Sequence, residues 1–485
     1  MRAALDLKRE RPSADAGPGT DRNARKGQLI TAAAAIVAVL AVLTLLVEVR
    51  WHNHQPYSGD EPHYLVMTNS LIQDGDFDVK NDYMSGRFLR YYPYAIDAHV
   101  NPTIFTTSRP HWYPEHGVGL AVLLAPAVGI VDNSGARAAM VVVALIVIAL
   151  AFLWARRFTG SVYAAIAVAA LAFSPAFLGM EGRIFPDLAT AALLLGCLLI
   201  METRRRRDWH LALLGVLVGA APWFHYKNVV AFGTVAAIVF VQVARGTEGS
   251  ERIRRLALLA GPAAASLIAY EVVIRTWYGS WLPTHMIPPT LHIFALSEER
   301  GIAAASFDAA RGLFTNDPAL LLILAGLPLW LARFRGSFLR VAWALGPTIL
   351  VQATFSDWSG GLGPPGRYAL DFAPALVPAI ALVLREARGA YRVIAGALLA
   401  LTWALAAVFV WLHPQWGFTG FRSPFFAAVD DRVGPALDRT MPTFDFGGQL
   451  VRGGWQLAAW IAVSGLFVTY GVALSRRAVS ARRAA

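Results

Sequence analysis

Long apolar runs, spaced along most of the chain and separated by short arginine patches, constrain this polypeptide more than any other feature. A helix needs roughly 20 apolar residues to cross the hydrocarbon core of a bilayer. Within that core only helices and closed barrels satisfy every backbone polar group. The runs predict about 12 spans, near 28–48, 137–154, 160–179, 185–201, 210–224, 228–244, 256–275, 318–332, 341–355, 368–384, 393–412 and 455–474. With 56% hydrophobic and 15% charged residues, the expected fold is an all-α integral membrane protein rather than a soluble domain.

The net charge of +11 would suggest nucleic-acid binding in a soluble chain, but the arginines sit between apolar runs. Arg204-Arg205-Arg206-Arg207, Arg252 to Arg255, Arg333 to Arg335 and Arg476-Arg477 read as cytoplasmic topology anchors, so no nucleic-acid partner is expected. Loops 49–116, 276–317, 356–367 and 413–454 then face outward. Gly117 to Val131 is apolar but short and reads as a re-entrant or surface-lying helix. Residues 1–27 read as a disordered cytoplasmic tail, 28–412 as the membrane domain, and 413–485 as an outer loop with a final helix. The run from Leu29 to Val47 is too long for a signal-peptide core and reads as a retained helix. The single cysteine, Cys197, argues against disulfide or thiolate-metal chemistry.

Loop 49–116 holds eight acidic and five basic residues and is dense in Tyr, Trp, His and Pro. Pro62, the stripe Tyr64, Leu65, Thr68, Leu71, Ile72, and the stop at Asp74-Gly75 predict a short interfacial helix. Asp60 and Glu61 stand at its start. A carboxylate there suits a helix cap. It equally suits a general base whose pKa desolvation would raise. Residue chemistry leaves the two readings even, a cap explaining one acid, with Glu61 beside Pro62 the expected cap. The adjacent His63 is unexplained by a cap.

Gly59-Asp60-Glu61-Pro62-His63-Tyr64-Leu65 after a first helix resembles the GT-C superfamily of membrane glycosyltransferases, with protein O-mannosyltransferases and aminoarabinose transferases the nearest comparisons. Tyr113 to Leu120, Ser174-Pro175 with Phe185 to Leu188, and Gly360-Gly361 through Gly366-Arg367-Tyr368 are similar to further short motifs of these enzymes. The resemblance spans most of 28–385 and rests on order and topology more than on any one motif. It implies a GT-C-like fold and a sugar donor carried on polyprenyl phosphate. It also implies inverting transfer to an acceptor hydroxyl on the outer side of a bacterial cytoplasmic membrane. Asp60 would be the base, with Glu61 the alternative. No lysine follows the proline-rich segment as it often does in O-mannosyltransferases, so the acceptor stays open between glycan, lipid and protein.

A leaving lipid phosphate needs positive charge placed beforehand. Arg367 is the first candidate and Lys227 the second. For Arg183 and Arg311 interfacial snorkelling is the expectation. His63, Asp97, His99, Glu115, His116, Asp187 and Tyr278 are candidates for the substrate pocket. An ordinary loop hydrogen bond is the expectation for Asp97, His99 and Asp187, while Glu115 and His116 are open. A divalent cation held by oxygen and imidazole is compatible with these types, although their spacing is no metal signature and no cofactor is required. Trp112, Tyr113, Trp277, Tyr278 and Trp281 suit either sugar stacking or an interfacial aromatic belt. A transporter or flippase of lipid-linked sugars is the rival reading. Polar residues concentrated in outer loops, with no internal repeat, weigh against it.

Overall fold

The structure is a computed structural model describing residues 57, 59–100, 110–279, 281, 300–353, 363–412, 424–433, 437–445 and 449–484. The expected tail 1–27, the span at 28–48, Gly360-Gly361, and segments 413–423, 434–436 and 446–448 of the last outer loop lie outside the described residues.

The main helices are α1 (Glu61–Gln73), α2 (Gly119–Val131), α3 (Ser134–Ala155), α4 (Ser161–Ala172), α5 (Asp187–Met201), α6 (Asp208–Phe224), α7 (Asn228–Gly246), α8 (Gly249–Tyr278), α9 (Leu322–Arg333), α10 (Arg335–Ala353), α11 (Ala373–Glu386), α12 (Ala390–Leu412) and α13 (Gly454–Ala484). One antiparallel pair, β1 (Thr443–Phe444) with β2 (Leu450–Arg452), is the only sheet among the described residues. The chain is an all-α membrane protein. Among the described residues, α3, α7, α8, α12 and α13 are long and apolar enough to cross a bilayer. Five further apolar helices have only 10–17 residues.

Proline and polar caps explain the shorter helices. The run expected as one span at 160–179 is two helices, α4 and a turn at Pro175–Met180. Pro175 cannot continue α4, and the Ser174 hydroxyl accepts the Phe177 amide at 3.2 Å, starting a new helix. Likewise the run at 368–384 opens with a 3-10 turn, Arg367–Asp371, before α11. The short apolar segment forms α2, a helix of 13 residues, about 20 Å long.

Close packing holds these short helices in the bundle. α6 and α8 approach at Gly219, where an added Cβ would lie 2.7 Å from Ser266 Cβ. Ser266 Oγ donates to the Gly219 carbonyl at 2.7 Å and accepts from Trp223 Nε1 at 3.0 Å. Trp154, Trp330 and Phe158 pack edge-to-face, and the buried Trp154 indole donates to the Ala375 carbonyl at 2.9 Å. α1 packs on α2, while the turn at 367–371 packs on α5. Gly117 and Gly119 lie against Trp223 and Phe224 at the end of α6. The starts of α1, α2, α5, α7 and α11 and the end of α6 therefore meet at one end of the bundle.

Candidate functional site

Asp60 occupies the N-cap position of α1, yet its side chain makes no cap bond. Its carboxylate instead accepts from Arg367 Nη2 at 3.2 Å. Glu61, one residue on, turns inward, accepting from Arg183 Nη1 at 3.0 Å and the Ile184 amide at 3.1 Å. The expected cap at Glu61 is thus replaced by a buried ion pair. Arg183 does not snorkel, because that carboxylate gives it an interior partner. Asp60 keeps 26% of its side-chain surface open and Glu61 only 1%, so Asp60 is the more accessible of the two acids.

Arg367 reaches this end through Gly366, whose φ of +67° is a left-handed conformation that glycine adopts without strain. The Gly366 amide also donates to the Arg311 carbonyl at 2.9 Å, pinning the turn. The buried guanidinium lies 4.0 Å from the Phe185 ring centroid and donates through Nε to Asp187 at 3.3 Å. Asp187, in the first turn of α5, also lies 3.8 Å from Lys227 Nζ. Lys227 pairs more closely with Asp371, at 2.7 Å, above the Tyr368 ring. Asp187 therefore does more than make a loop hydrogen bond; it links both cations. Asp60, Arg367, Asp187, Lys227 and Asp371 form one line of alternating charge.

Beside it stands a histidine group. The bridge between Val100 and Pro114, with the Glu115 amide donating to the His99 carbonyl at 3.0 Å, folds the first loop back on itself. His99 then stacks on His63 at 3.5 Å, and its Nδ1 lies 3.1 Å from His116 Nε2. His63 Nδ1 also pairs with the Tyr83 hydroxyl at 2.7 Å. Ligand atoms of Asp60, His99 and His116 all lie within 4.8 Å of one another. One carboxylate and two imidazoles fit a cation that favours nitrogen and oxygen donors. Tyr278 donates to the Pro114 carbonyl at 2.5 Å, and Tyr113 stacks on Trp277 at 4.8 Å, closing this flank. Asp97 remains exposed at the surface, and Glu115 is half-buried beside His116.

The electrostatics differ from the expected raised base. Burial works to raise the Asp60 pKa, but His116, Arg367 and His99 outweigh it and hold the carboxyl well below the usual carboxylate range. For Glu115 burial dominates and pushes the pKa up. Burial lowers the His116 pKa, and the neighbouring charge of Asp60 opposes it.

No protein-family model and no curated relative matches the chain. Among solved structures it is similar to ArnT from Cupriavidus metallidurans. In the apo state that comparison has a TM-score of 0.49 and 15% identity, covering 92% of this chain and 77% of the other. With ArnT bound to undecaprenyl phosphate the values are 0.47, 14%, 91% and 76%. The archaeal oligosaccharyltransferase AglB from Archaeoglobus fulgidus, in complex with an inhibitory peptide and a dolichol-phosphate, gives 0.35 and 15%. There the chain covers 55% of the other protein and is itself covered over 91%.

Sequence reasoning missed two residues of the site. Asp371 anchors Lys227, and its signal was an acid four positions after Arg367 at the mouth of an apolar run. His225 lies in the polar break Trp223 to Lys227 between two apolar runs. Burial, then the charges of Lys227, His116 and Arg367, push its pKa well below the usual imidazole value.

Proposed function

We propose that this chain is a membrane glycosyltransferase that moves a sugar from a polyprenyl-phosphate carrier to an acceptor hydroxyl. The observation that supports it is the contact between Asp60, a reachable carboxylate, and Arg367, a buried guanidinium backed by Asp187. In a single inverting displacement the acceptor oxygen bonds to the anomeric carbon as the bond to the phosphate oxygen breaks. The hydroxyl proton passes to Asp60, and the lipid phosphate leaves as an anion. Such a leaving group needs no general acid, only positive charge already in place. Arg367 and Lys227 supply that charge, and a guanidinium can grip two phosphate oxygens at once.

The depressed Asp60 pKa suits this order of events. A carboxylate that is ionised throughout the physiological range is always ready to accept a hydrogen bond from the hydroxyl. It takes the proton only as the acceptor oxygen gains positive character in the transition state. Bound at Asp60, His99 and His116, a divalent cation would supply Lewis-acid polarisation of the acceptor oxygen. By the positive-inside pattern this end of the bundle faces away from the cytoplasm.

The test uses purified protein, a radiolabelled polyprenyl-phosphate sugar and acceptor membranes. Wild type transfers label and Asp60→Asn does not. Full transfer by Asp60→Asn removes the base assignment, and lipid movement without transfer supports a transporter instead.

A further inference from the structure

The opposite end of the bundle carries a second built feature. The last turns of α3 and α5 and the first turns of α6 enclose a groove of about 450 Å³, within the size range of ligand sites. Leu153, Leu199, Leu213 and Leu217 wall it, and Gly196 leaves it open: a Cβ there would come 3.2 Å from Leu217 Cδ1. Leu153 and Leu213 are 43% and 40% exposed, so the apolar wall continues onto the outer surface of the bundle. The groove lies about 20 Å along α5 from Asp187, well away from the proposed transfer site.

Its mouth is cationic. Arg157 donates to the Leu199 carbonyl at 2.9 Å, which fixes it on the groove wall. Arg156 is exposed, with its guanidinium 5.8 Å from the Phe152 ring centroid. His210 closes the rim, stacked at 3.8 Å on Trp209, an exposed indole of the kind that sits at a membrane interface. The two acids nearest the groove are already matched, Glu202 by Arg340 at 2.6 Å and Asp208 by Arg254. Exposed Arg204, Arg205 and Arg207 follow directly, so the rim carries an excess of positive charge.

We infer that this groove is a binding site for an anionic phospholipid, with the phosphate at Arg156 and Arg157 and one acyl chain along the leucine wall. A free anion would use the rim but not the apolar wall, and a zwitterionic lipid the wall but not the charge excess. Both features together select a lipid of net negative charge. The arginine pattern puts this end on the cytoplasmic side, where a negative leaflet surface attracts such clusters.

The experiment takes the full chain, delipidated in neutral detergent. Its thermal midpoint is read against added phosphatidylglycerol, phosphatidylcholine or inorganic phosphate. Phosphatidylglycerol raises the midpoint by several degrees, and the other two do not. Arg156→Gln, which alters only an exposed side chain, weakens the phosphatidylglycerol response at least tenfold in concentration, and Gly196→Leu, which fills the groove, abolishes it. Should Gly196→Leu misfold, Arg156→Gln decides alone. Equal responses to the two lipids, an equal response to phosphate, or an unchanged response in Arg156→Gln overturns the assignment.

Discussion

Asp60 and Glu61 are consecutive residues whose carboxylates reach different arginines, Arg367 at 3.2 Å and Arg183 at 3.0 Å. One step along a helix rotates a side chain by about 100°. That rotation carries Glu61 under the Ile184 amide and leaves Asp60 facing the open end of the bundle. Two acids that look equivalent in the sequence thus differ in burial and in partner, and the proposed function assigns the chemistry to the open one.

The two acids are therefore expected to fail in different ways. Glu61→Ala leaves the buried Arg183 charge without its carboxylate, at a cost of about 3–5 kcal/mol. Asp60→Asn leaves Arg367 still paired with Asp187, so its melting temperature in detergent stays within a few degrees of wild type while transfer is lost. A large loss of stability in Asp60→Asn would undo this division of roles.

Asp187 and Asp371 are expected to hold the two cations in place for the donor. Asp371→Asn weakens the 2.7 Å pair with Lys227, a charged hydrogen bond worth about 1.5–3 kcal/mol, so KM for the donor rises tenfold or more. Arg367→Lys keeps the charge but loses the fork that reaches Asp60 and Asp187 together. Turnover should fall by about 10²–10³. An Arg367→Lys enzyme with wild-type kcat would place the phosphate elsewhere.

Much of this arrangement was legible in the sequence, and what was not has physical reasons. The apolar runs marked most of the helices because backbone in a bilayer has few alternatives. Asp60, Lys227 and Arg367 stood out as ionisable residues beside those runs. The pairing of Arg367 with Asp60 across 307 residues, and with Asp187 across 180, has no local signature. For that reason Asp187 looked like an ordinary loop acid and Arg183 like a snorkelling arginine. The direction of the Asp60 pKa was missed for the same cause. Burial can be guessed from an apolar neighbourhood, but the charges of His116 and Arg367 that outweigh it come from distant segments.

The histidine group yields a spectroscopic expectation. Cobalt(II) added to the apo protein should give visible d–d absorption from a site of one carboxylate and two imidazoles. His116→Ala should abolish the bands, and Asp97→Ala, altering an exposed side chain, should leave them intact. Bands that persist in His116→Ala would locate the cation elsewhere.

Asp308 should make stability depend on pH. Its buried carboxylate accepts the amides of Ala310 and Arg311 at 2.8 Å and of Phe444 at 2.9 Å, tying the segment before Leu313 to β1. Burial outweighs these bonds and pushes its pKa up to about 6. In the unfolded chain the value is about 3.9. Between those values the native state binds more protons than the unfolded one, so stability falls as pH rises from about 4 to about 6 and is level above. The effect is at most about 3 kcal/mol. Asn at this position retains an oxygen for Ala310 and Arg311 but cannot titrate. The melting temperature of wild type minus that of Asp308→Asn should therefore be larger at pH 4.5 than at pH 7.5. An equal difference at both values would show that Asp308 stays ionised in the fold.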